Sequence, residues 1–391
     1  MNYLLISSHY SDIKAPTPKI IQKILKSVLK EEDKLIIISE ENISKSKILI
    51  NGNVTNYQIP DYGSKMSNNC FFVTKMIFKK IRTKFTSWFL PRDFVSVNRL
   101  KKHALKMVNS VSFDRVIAFA GLFSNFEVAY QISKKYNKDL VIYYCDPFFN
   151  HPLYEKYNRK KLESYEIRWL KKAAKIGMPS NYYRYYQEKY PEFENKIKTI
   201  ELPCIFNDTE VDTIKSFQRK DYFLHVGSFV ESIREPGVVF RLMEEIGKTN
   251  NSYKLISLGN FPIKLQKKYN IPANVYFEKR AESIELLKKI GEASCLVLID
   301  NKHGCQIPSK AFEYVSSNKP ILFFKQQAKS DTLLFLEKNY KKYVVIKSEQ
   351  DIDSTICNKI NQLINDSSEN FLEKRYNLDE IFNCFSRLLK D

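Results

Sequence analysis

Cys305-Gln-Ile-Pro-Ser-Lys-Ala-Phe-Glu-Tyr-Val-Ser-Ser-Asn-Lys-Pro-Ile-Leu-Phe-Phe324 joins two apolar runs through a short helix. Cys295 to Asp300, before it, reads as a buried strand, followed by a polar loop from Asn301 to Gln306. Pro308 and Ser309 suit a helix start, Asn318 suits its end, and Pro320 to Phe324 reads as the next buried strand. Lys310 and Glu313, three residues apart, share one face of the helix start. A cation and a carboxylate beside a helix N-terminus, just past a strand's C-terminal end, suit a nucleotide. The free N–H groups and Lys310 would hold phosphate, and Glu313 would accept hydrogen bonds from ribose hydroxyls. The same two residues also read as a surface i,i+3 ion pair.

Pro308-Ser-Lys-x-x-Glu-Tyr314, followed by Asn318-Lys-Pro-Ile-Leu322, resembles the donor-site helix of GT-B glycosyltransferases, especially glycosyltransferase family 4 (glycosyltransferase group 1). That family carries Glu-x7-Glu, with its second Glu on the ribose. Glu313 matches the second; the first, a sugar-proximal position, falls on Cys305. The resemblance implies an α/β protein of GT-B fold, with two Rossmann-like doubly wound parallel-sheet domains facing a cleft. Residues 1–206 would bind acceptor, residues 207–374 would bind the donor, and 375–391 would form a helix crossing back to the first domain.

At 391 residues there is room for two domains with proper cores. A hydrophobic content of 43% is ordinary, whereas a net charge of +19 is not. That excess predicts an anionic partner, whether nucleic acid, an acidic membrane surface or phosphorylated substrates. Seven cysteines show no Cys-x-x-Cys or metal-ligand spacing, which fits free thiols in a reducing cytoplasm. No cleavable signal pattern precedes the strand Tyr3 to Ser7, and no apolar run reaches about 18 residues. The expectation is a cytoplasmic protein, peripheral on the inner face of the plasma membrane.

Met1 to Ser8 reads as a strand, His9 to Pro18 as a loop, Ile20 to Leu29 as a helix and Leu35 to Ser39 as a strand. This β-α-β start opens a doubly wound sheet, with His9 a candidate substrate contact. Asn51 to Asn69 reads as polar and turn-rich. From Phe71 to Val108, apolar residues at helical spacing interleave with ten basic residues and one acid, Asp93. A basic amphipathic helix bearing Phe and Trp suits an anionic membrane surface, which makes Lys79, Lys80, Arg82, Phe85 and Trp88 the candidate contacts. An internal helix with a solvated cationic face fits the same pattern.

Strands at Arg115 to Gly121 and Leu140 to Tyr144 precede a charged helix, Tyr154 to Lys175. Asp146 follows the second strand, either in the ligand crevice or capping a turn. Tyr182, Tyr183, Tyr185 and Tyr186 read as a stacking tract or as a helix with one packed face. Asn207 to Lys220 is polar and reads as the interdomain linker. Tyr222 to Val226, Tyr253 to Leu258, Val275 to Phe277 and Tyr343 to Ile346 are further strands, and Leu378 to Leu389 is the last helix.

From about Tyr222 to Phe324 the order and spacing resemble the nucleotide-binding half of family 4. The resemblance implies a UDP- or GDP-linked sugar as co-substrate, no other cofactor and no metal. Basic side chains and helix dipoles would neutralise the departing nucleoside diphosphate. Gly227 and Ser228 stand at the family's glycine and arginine, and Pro236 stands at its lysine. Arg234, in the same loop, takes the phosphate role by position. Arg280 begins the base-contacting loop, and His303 and Gly304 stand near the donor. Asp146 matches the second residue of the family's His-Asp beside the transferred sugar, with Cys145 replacing the histidine, and is the candidate catalytic residue.

The expected activity is retaining transfer of a hexose from a nucleotide sugar to a hydroxyl of a glycan or lipid-linked acceptor, in bacterial surface-polysaccharide synthesis. An anionic membrane is an expected partner and nucleic acid is not. A nucleotide-sugar epimerase of the same architecture and a non-catalytic, basic, glycosyltransferase-like binding protein are the alternatives. Walker, Gly-x-Gly-x-x-Gly, His-Glu-x-x-His and Gly-x-Ser-x-Gly motifs are absent, which removes the commonest ATPase, dehydrogenase, metalloprotease and hydrolase readings.

Overall fold

The computed structural model describes residues 1–11, 16–41, 43–60, 94–119, 123–148, 159–249, 253–281, 283–302, 305–366 and 372–390. The chain divides into two compact units, Met1–Pro203 with Asp379–Asp391, and Cys204–Leu378. Each is built on one sheet of buried, largely parallel strands.

In the first unit the eight-stranded sheet runs β3-β4-β2-β1-β5-β6-β7-β8. Its strands are β1 (Asn2–Ser8), β2 (Lys34–Glu41), β3 (Lys47–Asn51), β4 (Val54–Pro60), β5 (Arg115–Phe119), β6 (Asp139–Tyr143), β7 (Ala173–Met178) and β8 (Ile197–Thr199). Only β3 is antiparallel to its neighbour. The helices are α1 (Pro16–Val28), α2 (Phe94–Val108), α3 (Phe123–Tyr136), α4 (Arg159–Lys172) and α5 (Ser180–Lys189), with α13 (Leu378–Lys390) grouped here. Chain order reverses between β1 and β5, where a doubly wound sheet leaves a crevice at its strands' C-terminal ends. Both strands are apolar throughout their centres because each is covered on two faces.

The second unit carries β9 (Tyr222–Val226), β10 (Lys254–Leu258), β11 (Val275–Glu278), β12 (Cys295–Ile299), β13 (Ile321–Phe324) and β14 (Tyr343–Ile346). They run β11-β10-β9-β12-β13-β14, all parallel. Here the order reverses between β9 and β12. Seven helices surround this sheet among the described residues: α6 (Asp208–Lys215), α7 (Gly237–Thr249), α8 (Ile263–Lys268), α9 (Ser283–Glu292), α10 (Ser309–Ser316), α11 (Asp331–Asn339) and α12 (Ser354–Ile364). Val239, Phe240 and Met243 of α7 pack with Ile356 and Ile360 of α12 over Val297, Leu322 and Ile346 of the sheet. The two parallel-sheet units define the GT-B architecture.

Several readings need correction. The polar tract after Asn51 contains β4, whose Asn56 and Gln58 are buried and hydrogen-bonded: Ser39 Oγ donates to Asn56 Oδ1 at 3.0 Å, and Gln58 Nε2 donates to Ser11 Oγ, while Gln58 Oε1 has no donor among the described residues. Gly52, at φ 57, makes the two-residue turn into β4 from β3, which had no sequence expectation. Residues 208–215 of the expected linker form α6, capped reciprocally by Asn207 and Glu210. The charged helix ends at Lys172, because Ala173 already belongs to β7. In α10 the N-cap is Pro308, which makes no side-chain cap, and Ser309 is the first helical residue. Asn318, at φ 57, ends that helix in the left-handed conformation asparagine tolerates. Tyr182 and Tyr186 form the packed face of α5. Lys79, Lys80, Arg82, Phe85 and Trp88 lie outside the described residues. Among the described residues no helix is long and apolar enough to cross a membrane.

Candidate functional site

The reversal between β9 and β12 gathers polar groups that an apolar interior would not accept without a purpose. β9 ends in Val226, whose N–H donates to the Tyr314 hydroxyl at 3.0 Å. Tyr314 is fully buried, so this bond pins α10 to the end of β9 and fixes where Lys310 and Glu313 stand. Gly227 follows at φ 143, and Gly259, after β10, packs against it so closely that a β-carbon there would collide with the Gly227 carbonyl oxygen. Ser228 Oγ accepts from the Asn260 N–H at 3.2 Å, tying the two glycine turns together.

The next loop is a tight reversal from Val230 to Arg234. Reciprocal backbone hydrogen bonds close it, 2.9 Å from Val230 N to Arg234 O and 2.8 Å from Arg234 N to Val230 O, around Ser232 at φ 65. Glu235 braces it by accepting from the Ser232 N–H at 2.9 Å. The loop thereby holds Arg234 against the sheet. Its Nε is buried with no hydrogen-bond partner among the described residues, and burial alone pushes the guanidinium below its ordinary value. A desolvated cation without an anion is costly unless a ligand completes it.

His225 lies beneath this loop, buried, with Nδ1 2.9 Å from Ser257 Oγ and its ring stacked on Phe229 at 4.4 Å. Burial, followed by the charges of Arg234 and Lys310, pushes its pKa down to about 3, so it is neutral at physiological pH. Three groups on three elements are therefore coupled: His225 on β9, Arg234 on the loop and Lys310 on α10. Lys310 pairs with Glu313 at 2.5 Å, and both side chains are about one-fifth exposed. The ion pair expected of an i,i+3 couple is thus real, and it holds Lys310 at the edge of the same positive region.

Other candidates stand apart from this group. Cys305 precedes α10, and burial pushes its thiol up to about 12, so it is protonated. Arg280 is exposed beyond the edge strand β11. His9 and Asp146 belong to the first unit. His9 follows β1 at φ 55, its N–H donating to Glu40 O at 2.7 Å, and Asp146 lies half-buried just past β6. His303 and Gly304 are outside the described residues. His225 and Glu235 had no role in the sequence reading, and Tyr314 entered it only as the last residue of the Pro308–Tyr314 motif. The available signal was a histidine inside the otherwise apolar strand Tyr222–Val226, two residues before Gly227. Among the described residues no group of His, Cys, Asp and Glu could hold a metal ion.

What this arrangement can do is bind a compact polyanion at the C-terminal ends of β9 and β12. No protein-family model matches the chain, and no curated protein matches its sequence. Solved structures do match across its length. A trehalose-phosphate synthase (UDP-forming) from Burkholderia vietnamiensis is 10% identical, covers 100% of this chain and 97% of its own, and has a TM-score of 0.61. Anabaena Alr3699/HepE, solved in complex with UDP and glucose, is 10% identical over 99% of both chains at a TM-score of 0.60. The UDP-GlcNAc 2-epimerase of Methanocaldococcus jannaschii is 10% identical over 100% and 99%, at 0.58. The chain is similar to these GT-B enzymes in fold.

Proposed function

We propose that the chain is a nucleotide-sugar-dependent glycosyltransferase whose donor diphosphate binds between Arg234 and Lys310. The observation that carries this reading is Arg234, a half-buried cation whose buried Nε has no partner among the described residues, near a neutral histidine and a helix N-terminus. Arg234, Lys310 and the first N–H groups of α10 take the phosphates. Glu313 accepts hydrogen bonds from ribose hydroxyls and so releases Lys310 to the phosphate. His225, neutral, adds no third positive charge and offers a fixed dipole beside the departing group.

In the transfer, the bond from the sugar's anomeric carbon to the phosphate oxygen breaks, and the nucleoside diphosphate keeps the electron pair. A new bond forms to an acceptor hydroxyl oxygen, whose proton passes to the departing phosphate or to a carboxylate. We assign Asp146 and His9, in the first unit, to the acceptor and sugar side. The +19 net charge supports acceptors at an anionic surface, including lipid-linked ones of surface-polysaccharide synthesis. A nucleotide-sugar epimerase is the second reading, favoured by full-length similarity to UDP-GlcNAc 2-epimerases.

A thermal-shift screen with UDP, GDP, CMP and their sugar conjugates tests the donor site. One base class should raise the melting point, and Glu313→Ala should abolish the rise. The absence of any nucleotide-dependent shift would refute the reading. Conversion of UDP-GlcNAc without acceptor would select the epimerase.

A further inference from the structure

A second cavity, of about 490 Å³, opens at the C-terminal ends of β13 and β14. It shares only the Glu235 end of the loop with the site above: neither Arg234, Lys310 nor Glu313 lines it. Its walls are built for charge. Phe324 and Ile346 are register partners, so Lys325 and Lys347 leave neighbouring strands side by side, the strands being bonded from Lys325 N to Ile346 O at 2.9 Å. Among the described residues neither lysine side chain meets a carboxylate. Two like charges held next to each other repel unless an anion lies between them.

The opposite wall is Glu235 with the first turn of α7. The Glu235 carboxylate accepts from Lys268 at 2.7 Å and from the Tyr269 hydroxyl at 2.5 Å, and it lies 3.3 Å from Lys302. It is therefore saturated and leaves its lysine neighbours in excess. Gly237 and Val238 begin α7, and their N–H groups have no intrahelical acceptor. Of the lining residues, Lys302, Lys325 and Lys347 stand against Glu235 and the rim residue Glu349, a surplus of one positive charge, and Lys268, bonded to Glu235 from outside the lining, adds a second, which together suit a phosphate monoester. Gln326 supplies the remaining requirement. Its Nε2 donates to the Glu235 carbonyl at 3.4 Å, which fixes the amide's orientation, and its Oε1 is buried with no donor among the described residues. A lone acceptor beside an anion site calls for a ligand hydroxyl.

We propose that this cavity is a second ligand site, distinct from the nucleotide site, that takes a phosphorylated polyol. The lysines and the α7 N–H groups hold the phosphate, and Gln326 Oε1 accepts from a hydroxyl. A volume of about 490 Å³ accommodates a sugar phosphate and not a large cofactor. The assignment does not depend on the nucleotide reading.

The test is calorimetric titration of the full chain with ribose 5-phosphate, glycerol 3-phosphate, inorganic phosphate and glycerol, alone and with saturating UDP. The phosphorylated polyols should bind, inorganic phosphate should bind more weakly, and glycerol should not bind. Lys325→Met combined with Lys347→Met should weaken the polyol phosphates by tenfold or more, about the effect of one lost charged contact. Gln326→Leu should lower their affinity towards that of inorganic phosphate while leaving phosphate itself unchanged. UDP titrations should be the same in all variants, which separates failure here from failure of the donor site. No binding of any phosphate ester, equal binding in the double variant, or displacement by UDP would each overturn the proposal.

Discussion

Replacing Arg234 by methionine tests the donor site in two directions at once. In the ligand-free protein the guanidinium is desolvated, and its buried Nε has no partner among the described residues to offset the cost. Methionine keeps much of the packing and removes the charge, so the free protein should become more stable. Leaving a buried polar group unsatisfied costs about 1–3 kcal/mol. Arg234 is not wholly buried, so a gain near the lower limit, about 1 kcal/mol, is expected, or about 2–4 °C in the melting point. With nucleotide the sign reverses. A hydrogen bond to a charged group contributes about 1.5–3 kcal/mol, so affinity should fall roughly 10- to 100-fold. At 100 times the wild-type Kd, nucleotide stabilises by about 2.7 kcal/mol, or about 5–10 °C. The variant at the same concentration should gain only about 0.4–1.4 kcal/mol. Differential scanning calorimetry with and without UDP or GDP reads both effects. A variant that melts lower when free and keeps the full nucleotide shift would refute the reasoning, because Arg234 would then be an ordinary structural cation.

Two buried groups should give the units opposite pH dependence. His225 is pushed down to about 3, against about 6.5 in the unfolded chain. Below pH 6.5 only the unfolded state takes up its proton, so the second unit should lose stability as pH falls from 6.5 towards 3, and His225→Gln should flatten that slope. In the first unit Glu166 is fully buried; burial raises its pKa to about 7, although Tyr186 and Tyr190 donate hydrogen bonds to it, the latter at 3.0 Å. The folded state there holds a proton the unfolded state has lost, so its stability should decline as pH rises from 4.5 through 7. Glu166→Gln should remove that decline, which amounts to about 3 kcal/mol. Gly259→Ala would drive a β-carbon into the Gly227 carbonyl and should destabilise the second unit by about 2–4 kcal/mol, with nucleotide binding lost in the protein that remains folded. Circular dichroism melts check each of these.

The second unit was readable strand by strand because its strands are covered on both faces and so appear as largely apolar runs. α10 was readable from Pro308 and Asn318, which mark helix ends through their own backbone preferences. β4 escaped notice because Asn56 and Gln58 interrupt the pattern. Only the approach of Ser39 and Ser11, distant in sequence, lets such amides lie in a sheet. α6 was hidden by its charge, although Asn207 and Glu210 carried its capping box in plain view. At the site, Lys310 and Glu313 were found through their helical spacing and Arg234 through its position in the loop. His225 was passed over as a strand residue.

Local chemistry therefore determined the alternation of strands and helices, the chain reversals and the helix bearing Lys310 and Glu313, since each depends on neighbouring residues alone. Tertiary structure decided what those residues face. Sequence cannot specify that Arg234 Nε is buried with no partner among the described residues, because desolvation depends on elements folded over it from far along the chain. Nor can it place Lys325 beside Lys347, which only the register of two parallel strands brings together.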